Sequence, residues 1–247
     1  YKVANNTPAQ RRQFAIRNSQ FAIYFVLFAA LLFGSACRPP QFNPKKTQLY
    51  SPIVEIQTDS GSIEIQLFAS TPRHRDNFVK LVRENYYNGI LFHRVIPSFM
   101  IQSGDPDSRG AEAGKMLGLG GPNYTLPAEI VDELIHTRGA VAAARMPDNV
   151  NPKKESSGSQ FYIVQGAAVS DQLLDRVEEM RKFKYSSAQR ELYKKVGGTP
   201  HLDREYTVFG TVLSGMEVVD KITRLPTDSN NRPRTDLKII KIRIKKG

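Results

Sequence analysis

The sequence predicts a mainly β fold, an antiparallel barrel capped by helices. Three observations lead there. Short runs of alternating apolar and polar residues recur between turn-forming residues. Outside one late segment, only two stretches have helical spacing. Strands and helices do not alternate in the βαβ rhythm of a parallel sheet. At 247 residues, 40% hydrophobic and 24% charged, the chain is long enough for one large core or for one domain with an appendage.

In chain order, the basic stretch RRQFAIR leads into the apolar run FAIYFVLFAALLFGSAC over residues 21–37, which ends in small residues before Cys37. That is the layout of a secretory signal. Gly34-Ser35-Ala36-Cys37 also resembles a bacterial lipobox, with Gly34 where Leu is commonest. The expectation is a signal and lipidation region over 1–37, with Cys37 lipidated and anchoring the protein to the bacterial envelope, facing the periplasm or cell surface. The alternative is an uncleaved membrane anchor. A single cysteine excludes an internal disulfide. Residues 38–51, Pro-rich and polar, read as a flexible tether.

IVEIQTDSGSIEIQLF alternates on both sides of Asp59-Ser60-Gly61 and predicts a hairpin. Thr71-Pro72 starts a helix with an apolar face of Phe78, Val79, Leu81 and Val82. Asn88-Gly89 turns into a strand at FHRVIPSFM. Further strands are expected at Gly139–Ala144, Gln160–Val164 and Thr207–Leu213, then a helix over Met216–Arg224 and a closing strand LKIIKIRI. Between the strands at Gln160–Val164 and Thr207–Leu213, residues 170–196 are charged, Gly-free and helically spaced. They predict one long helix or a helical hairpin, within an insertion at about 167–200, capped by Ser170 or Asp171 and ended by Gly197-Gly198. A solvated appendage and a partner-binding element are both open readings. The net charge of +11 is spread along the chain apart from a modest C-terminal cluster of Lys238, Lys241, Arg243, Lys245 and Lys246. It reads as a solvated surface in preference to a nucleic-acid site.

FHRVIPSFMIQSGDP, residues 92–106, places His93 and Arg94 directly before an apolar run. Buried strands rarely hold Arg unless it is paired, so the segment reads as polar and apolar groups converging on one concave site. It is one of five blocks, with GGPNYTLPAE at 120–129, HTRGAVAAAR at 136–145, SSGSQFYIV at 156–164 and LDREYTVFGTV at 202–212. Together these make residues 52–247 resemble the cyclophilin family of peptidyl-prolyl cis–trans isomerases.

The resemblance implies a closed eight-stranded antiparallel barrel with two capping helices and a groove on its outer face. It implies that Arg94 is the catalytic arginine, with His93 beside it in the groove and Gln102 orienting it. Phe99, Met100, Tyr162 and Leu202 would receive the proline ring. Ala144, Arg145 and Gln160 would line the groove, and Tyr206 falls where many members have His. Tyr162 stands where Phe is common, so its hydroxyl needs a polar partner. His201 occupies the position of a Trp in cyclosporin-sensitive members. Such chemistry needs no cofactor and no metal; its partners are proline-containing polypeptides, with no nucleic acid, and the protein is expected to be a monomer.

The residues make sense of that chemistry independently. An X-Pro bond turns slowly because amide resonance sets a barrier of roughly 18–20 kcal/mol. A permanently charged guanidinium helps if it interacts better with the twisted amide than with the planar one. If one strand runs from Arg94 to Gln102, their even spacing puts both on one face. Plainer readings coexist: Arg94 as a rim ion pair, Phe99 and Met100 as core, His93 as a groove wall or a structural hydrogen-bonding group but not a general base. A proline-binding or chaperone module with incidental catalysis is the alternative function.

Overall fold

The computed structural model describes residues 50–246. The expected signal region over 1–37, with Cys37, and all but the end of the tether lie outside the described residues.

Strands β1 (Ile53–Thr58) and β2 (Gly61–Leu67) form the expected hairpin, with Thr58 paired to Gly61 across a two-residue turn. Gly61 takes φ 136°, a region open to glycine and strained for any other residue. The alternation works as predicted: Val54, Ile56, Ile63, Ile65 and Leu67 are all fully buried. Each such burial is worth about 1.5–3 kcal/mol relative to exposure. Helix α1 (Pro72–Arg83) starts with Pro72 in its first turn and buries Phe78, Val79, Leu81 and Val82.

Strands β3 (Arg94–Ile96) and β4 (Met100–Ser103) follow as a second hairpin. Next come the short β5 (Thr125–Leu126), then β6 (Ala140–Arg145) and β7 (Ser156–Val164). Strand β7 begins four residues before its apolar part, because Ser156 and Ser157 pair with β5 and Ser156 also with Arg145 of β6. The insertion is a hairpin of two helices, α2 (Asp171–Arg181) and α3 (Ser187–Val196). The Ser170 hydroxyl accepts from the Leu173 N–H to start α2, Ser186 and Gln189 form a capping box on α3, and Gly197 ends it. Strand β8 (Val208–Ser214), helix α4 (Met216–Thr223) and strand β9 (Ile239–Lys246) complete the chain.

The strands form one antiparallel sheet in the order β3-β4-β7-β6-β8-β2-β1-β9, with β5 added beside β7. Eight strands thus follow one another as expected, but the barrel is not closed: β3 and β9 share no ladder. Isolated contacts span the gap instead, among them backbone bonds such as Gly89 N–H to Ile239 O (2.7 Å) and Phe92 N–H to Leu237 O (2.9 Å), the bridge Leu91–Lys238 and the Ile242 N–H to Asn88 Oδ1 bond (3.2 Å). The reason is length. Strand β3 has three residues, and its Val95 N–H bonds to Asn231 O in a loop in place of β9. The result is a curled, open half-barrel.

The sheet has two apolar faces. On the inner one, Ile101, Val141, Ala143, Phe161, Ile163 and Phe209 pack with β1, β2 and the buried sides of α1 and α4. Their strand neighbours Met100, Ala140, Ala142, Tyr162, Val164 and Val208 form a second cluster on the opposite face, joined by Phe99, Leu202 and Tyr206. A period of two thus gives β4, β6 and β7 a side that stabilises the fold and a side available for function.

Candidate active site

The outer face holds a row of directly opposed residues. Arg94 pairs with Gln102, Gln102 with Tyr162, and Tyr162 with Ala142, across β3, β4, β7 and β6. Opposed residues share a face and touch. Arg94 and Gln102 therefore meet, but not along one strand as their spacing suggested. The chain reverses at Pro97-Ser98-Phe99, with Ser98 at φ 59° and its N–H held by Gln165 Oε1 at 2.7 Å, and the two residues become partners across the hairpin.

A cleft of about 280 Å³ opens over this row. Of the expected residues, His93, Arg94, Gln102, Ala144, Arg145 and Tyr206 line it together with the ring-pocket set Phe99, Met100, Tyr162 and Leu202. Gln160 does not line it. It sits one step back, in an adjoining depression that runs along Gly120, Pro122 and Tyr124.

Arg94 is held by acceptors and rings, not by acids. Its Nη1 donates to Gln102 Oε1 at 3.2 Å, and its guanidinium carbon lies 5.8 Å from the centre of the Phe99 ring. Among the described residues it makes no ion pair with a carboxylate, in contrast to Arg138, Arg145, Arg181, Arg190 and Arg232. Half-burial pulls its pKa down, with Tyr206 opposing. Arginine starts so high that it stays cationic at neutral pH.

The orientation of that contact is inherited through a chain of amides. The Gln160 Nε2 donates to the carbonyls of Gly118 (3.0 Å) and Gly120 (2.7 Å), which leaves its Oε1 to accept from Gln102 Nε2 at 3.0 Å. Gln102 must then turn its own Oε1 toward Arg94. Two carbonyls that can only accept thus determine which way both glutamine amides point.

His93 is buried against Gly118, and neither ring nitrogen makes a hydrogen bond of ordinary geometry. Burial pushes its pKa down to about 4, against the opposite pull of Asp105 and the Leu91 carbonyl. It is therefore a neutral wall beside Arg94. Arg145 lies 4.6 Å over the Tyr206 ring, but its guanidinium is engaged by Glu205, with Nε donating to the backbone oxygen at 2.8 Å and Nη2 to Oε2 at 3.1 Å. Met100 and Tyr162 are buried, and Phe99 stacks on His201 with centroids 5.7 Å apart. The Tyr162 hydroxyl finds His136 Nε2 at 3.0 Å.

Residues outside the five blocks complete the cleft: Lys115, Leu117 and Gly118 from one loop, Asn230 and Arg232 from another. No periodic signal marks such loops. His136 and Asp203 lie under the pocket, with His136 Nδ1 2.8 Å from Asp203 Oδ1. They lie inside two of the five blocks, at 136–145 and 202–212, but no spacing in the sequence pairs them.

The family model for "Cyclophilin type peptidyl-prolyl cis-trans isomerase/CLD" matches residues 53–244. Human peptidyl-prolyl cis-trans isomerase-like 3 is 34% identical over 194 residues, covering 77% of this chain and 94% of the human protein. A Schizosaccharomyces pombe peptidyl-prolyl cis-trans isomerase is 33% identical over 189 residues, covering 76% of this chain and 96% of its own. A Streptococcus pyogenes protein assigned both phosphatase and peptidyl-prolyl cis-trans isomerase functions is 35% identical over 196 residues, and there the match spans 78% of this chain but only 38% of the relative. Among solved structures, a Cryptosporidium parvum cyclophilin-type peptidyl-prolyl cis-trans isomerase superposes with a TM-score of 0.58 at 26% identity, covering 80% of this chain and 99% of that one. The same parasite protein, solved in the presence of the dipeptide Ala-Pro, gives a TM-score of 0.56 over 79% of this chain. With its half-barrel, its outer-face cleft and the match over nearly all of its described length, the chain belongs to the cyclophilin-type peptidyl-prolyl cis–trans isomerases.

Proposed function

We propose that this isomerase turns X-Pro bonds in exported proteins, with Arg94 stabilising the twisted amide above an apolar ring pocket. The proline ring enters between Phe99, Met100, Tyr162 and Leu202 and is held by burial. The polypeptide on its N-terminal side rotates. As the amide leaves planarity its nitrogen becomes pyramidal and basic, and Arg94 donates to it. No bond is broken, so the whole effect is electrostatic and positional. The observation that carries this reading is a half-buried arginine in the cleft with an amide for a neighbour and, among the described residues, no carboxylate paired with it. A charge already neutralised by an acid would have little left to offer a substrate. A binding module would not need the cation.

The rest of the proposal rests on sequence. Residues 1–37 direct export and end in a lipid-bearing Cys37, residues 38–51 form the tether, and residues 52–247 form a monomeric isomerase domain facing the periplasm or the cell surface. Its partners are proline-containing polypeptides, and the spread of positive charge favours no nucleic acid. A protease-coupled proline isomerisation assay tests the activity itself. Wild-type protein should accelerate the cis-to-trans step of a short proline peptide, and a rate no faster than the uncatalysed one would overturn the proposal.

A further inference from the structure

The inserted helices meet the ring pocket through a buried polar chain. Asp203, 2% exposed, receives four donors. Its Oδ1 accepts from the backbone N–H of His136 and from His136 Nδ1, both at 2.8 Å. Its Oδ2 accepts from the hydroxyls of Tyr185 and Tyr193, both at 2.6 Å. Tyr193 lies in α3 and Tyr185 in the loop between α2 and α3, and both belong to a separate apolar cluster with Leu174, Val177 and Ile135. The base of the hairpin is tight as well. Thr199 N–H donates to His136 O at 2.8 Å, and a side chain at Gly198 would come within 2.4 Å of that same oxygen.

Donors and acceptors along the chain are matched. A carboxylate can only accept, so the Nδ1 that faces it bears a proton. In a neutral imidazole Nε2 is then the acceptor, and the Tyr162 hydroxyl donates to it. The Tyr162 and His136 rings also lie nearly parallel, 14° apart with centroids at 6.1 Å. Asp203 is bonded in sequence to Leu202, another lining residue of the same pocket. One carboxylate therefore governs two walls: Leu202 through the backbone and Tyr162 through His136. An apolar pocket has no use for a phenol hydroxyl, and burying one unpartnered costs stability. The chain accounts for a tyrosine at this place.

We propose that the inserted hairpin sets the shape of the proline pocket: Tyr185 and Tyr193 hold Asp203, which is a positioning residue acting through His136 on Tyr162. This goes beyond a solvated appendage and beyond a partner-binding arm. It rests on the cleft being the ring pocket, which Phe99→Ala tests in parallel.

The experiment is a double-mutant cycle on the full chain, combining Tyr185→Phe/Tyr193→Phe with Tyr162→Phe. Affinity for a short proline peptide is read by NMR titration, turnover at saturating peptide by exchange spectroscopy, and stability by melting. With Tyr162 present, removing the two hairpin hydroxyls should weaken peptide binding about tenfold, well inside the hundredfold that ångström-scale misplacement can cost, while bound-state turnover changes less. In the Tyr162→Phe background the same change should weaken binding no more than about twofold, because the link to the pocket is already cut. A hairpin that only supports the fold predicts a lower melting temperature in both backgrounds with unchanged affinity. Unchanged affinity, or an equal loss in both backgrounds, overturns the proposal. Tyr193→Phe alone, with a loss of about threefold expected on the same grounds, serves if the double variant does not fold. Unchanged binding in Phe99→Ala would instead displace the pocket itself.

Discussion

Replacing Arg94 separates chemistry from binding more sharply than any other change. Arg94→Ala removes one preorganised donor, whose loss from an enzyme site typically costs 10²–10³ in rate, or ~2.7–4 kcal/mol of barrier. The structure says that little else is lost. Among the described residues the Arg94 guanidinium makes no ion pair; it gives one hydrogen bond, to Gln102, which keeps its link to Gln160, and a contact to the Phe99 ring with its carbon 5.8 Å from the ring centre. Stability should therefore change by no more than about 1 kcal/mol. The ring pocket of Phe99, Met100, Tyr162 and Leu202 stays in place, so affinity for a proline peptide should fall less than about threefold. Arg94→Lys is the finer probe. It keeps the charge and loses the planar fork that can hold Gln102 with one nitrogen and offer another to substrate. Most of the activity should still disappear. The assay is protease-coupled isomerisation for kcat/KM, with peptide titration and a thermal melt on each variant. Turnover within about twofold of wild type in folded Arg94→Ala would refute the electrostatic mechanism, since a donor of this kind should cost far more.

Three further outcomes follow from the site and the sequence. The folded pKa of His93, about 4, lies below its ordinary 6.5, so the unfolded chain binds the extra proton between those values. Stability should be full above pH 6.5 and fall as pH drops toward 4, by about 3 kcal/mol at most. An NMR titration that shows the His93 ring protonating near 6.5 would contradict this. His201 stacks on Phe99 where cyclosporin-sensitive relatives of this type carry Trp, and imidazole covers less apolar area and offers a different donor. Cyclosporin should bind weakly and His201→Trp should tighten it at least about tenfold, on the scale of a well-buried aromatic contact; equal inhibition of both proteins would place the drug elsewhere. Mass spectrometry of the mature protein should find Cys37 as a lipidated N-terminus, with more than one acyl chain because one alone holds a membrane only marginally. An unprocessed N-terminus without lipid mass would remove the envelope anchor.

Much of the fold was legible because its strands alternate cleanly. The β1–β2 hairpin follows from IVEIQT, a two-residue turn and GSIEIQL, and the helical character and outer ends of the insertion from Ser170, its spacing and Gly197; the break into two helices at the Ser186 capping box was left open by the sequence. Strand β7 was shortened because SSGS has no apolar alternation, although its backbone pairs on both sides. The open edge was invisible, since closure depends on how far β3 runs before Val95 bonds to a loop. Arg94 and Gln102 were placed together by an argument about one strand that the chain does not follow. They meet because a hairpin turn at Ser98 puts the same even separation across two strands. The chain from Tyr193 to Tyr162 could not be read at all. Tyr185 and Tyr193 have the spacing of an ordinary apolar helix face, and only tertiary packing brings Asp203 between them and His136.

The arginine proposed to act on substrate sits on the terminal strand of an unclosed sheet. Strand β3 has a single ladder neighbour and three residues, while β1, β2, β6 and β7 are gripped on both sides. The two sides of the cleft are therefore held differently: Met100 and Tyr162 stand on strands paired on both sides, and Arg94 on a short end strand fastened by the buried Val95 and its N–H bond to the Asn231 carbonyl. The aim of Arg94 comes from side chains, through Gln102, Gln160 and the two loop carbonyls. The proposed donor can therefore be re-aimed by a change at Gln102 or Gln160 that leaves the strands carrying Met100 and Tyr162 in place.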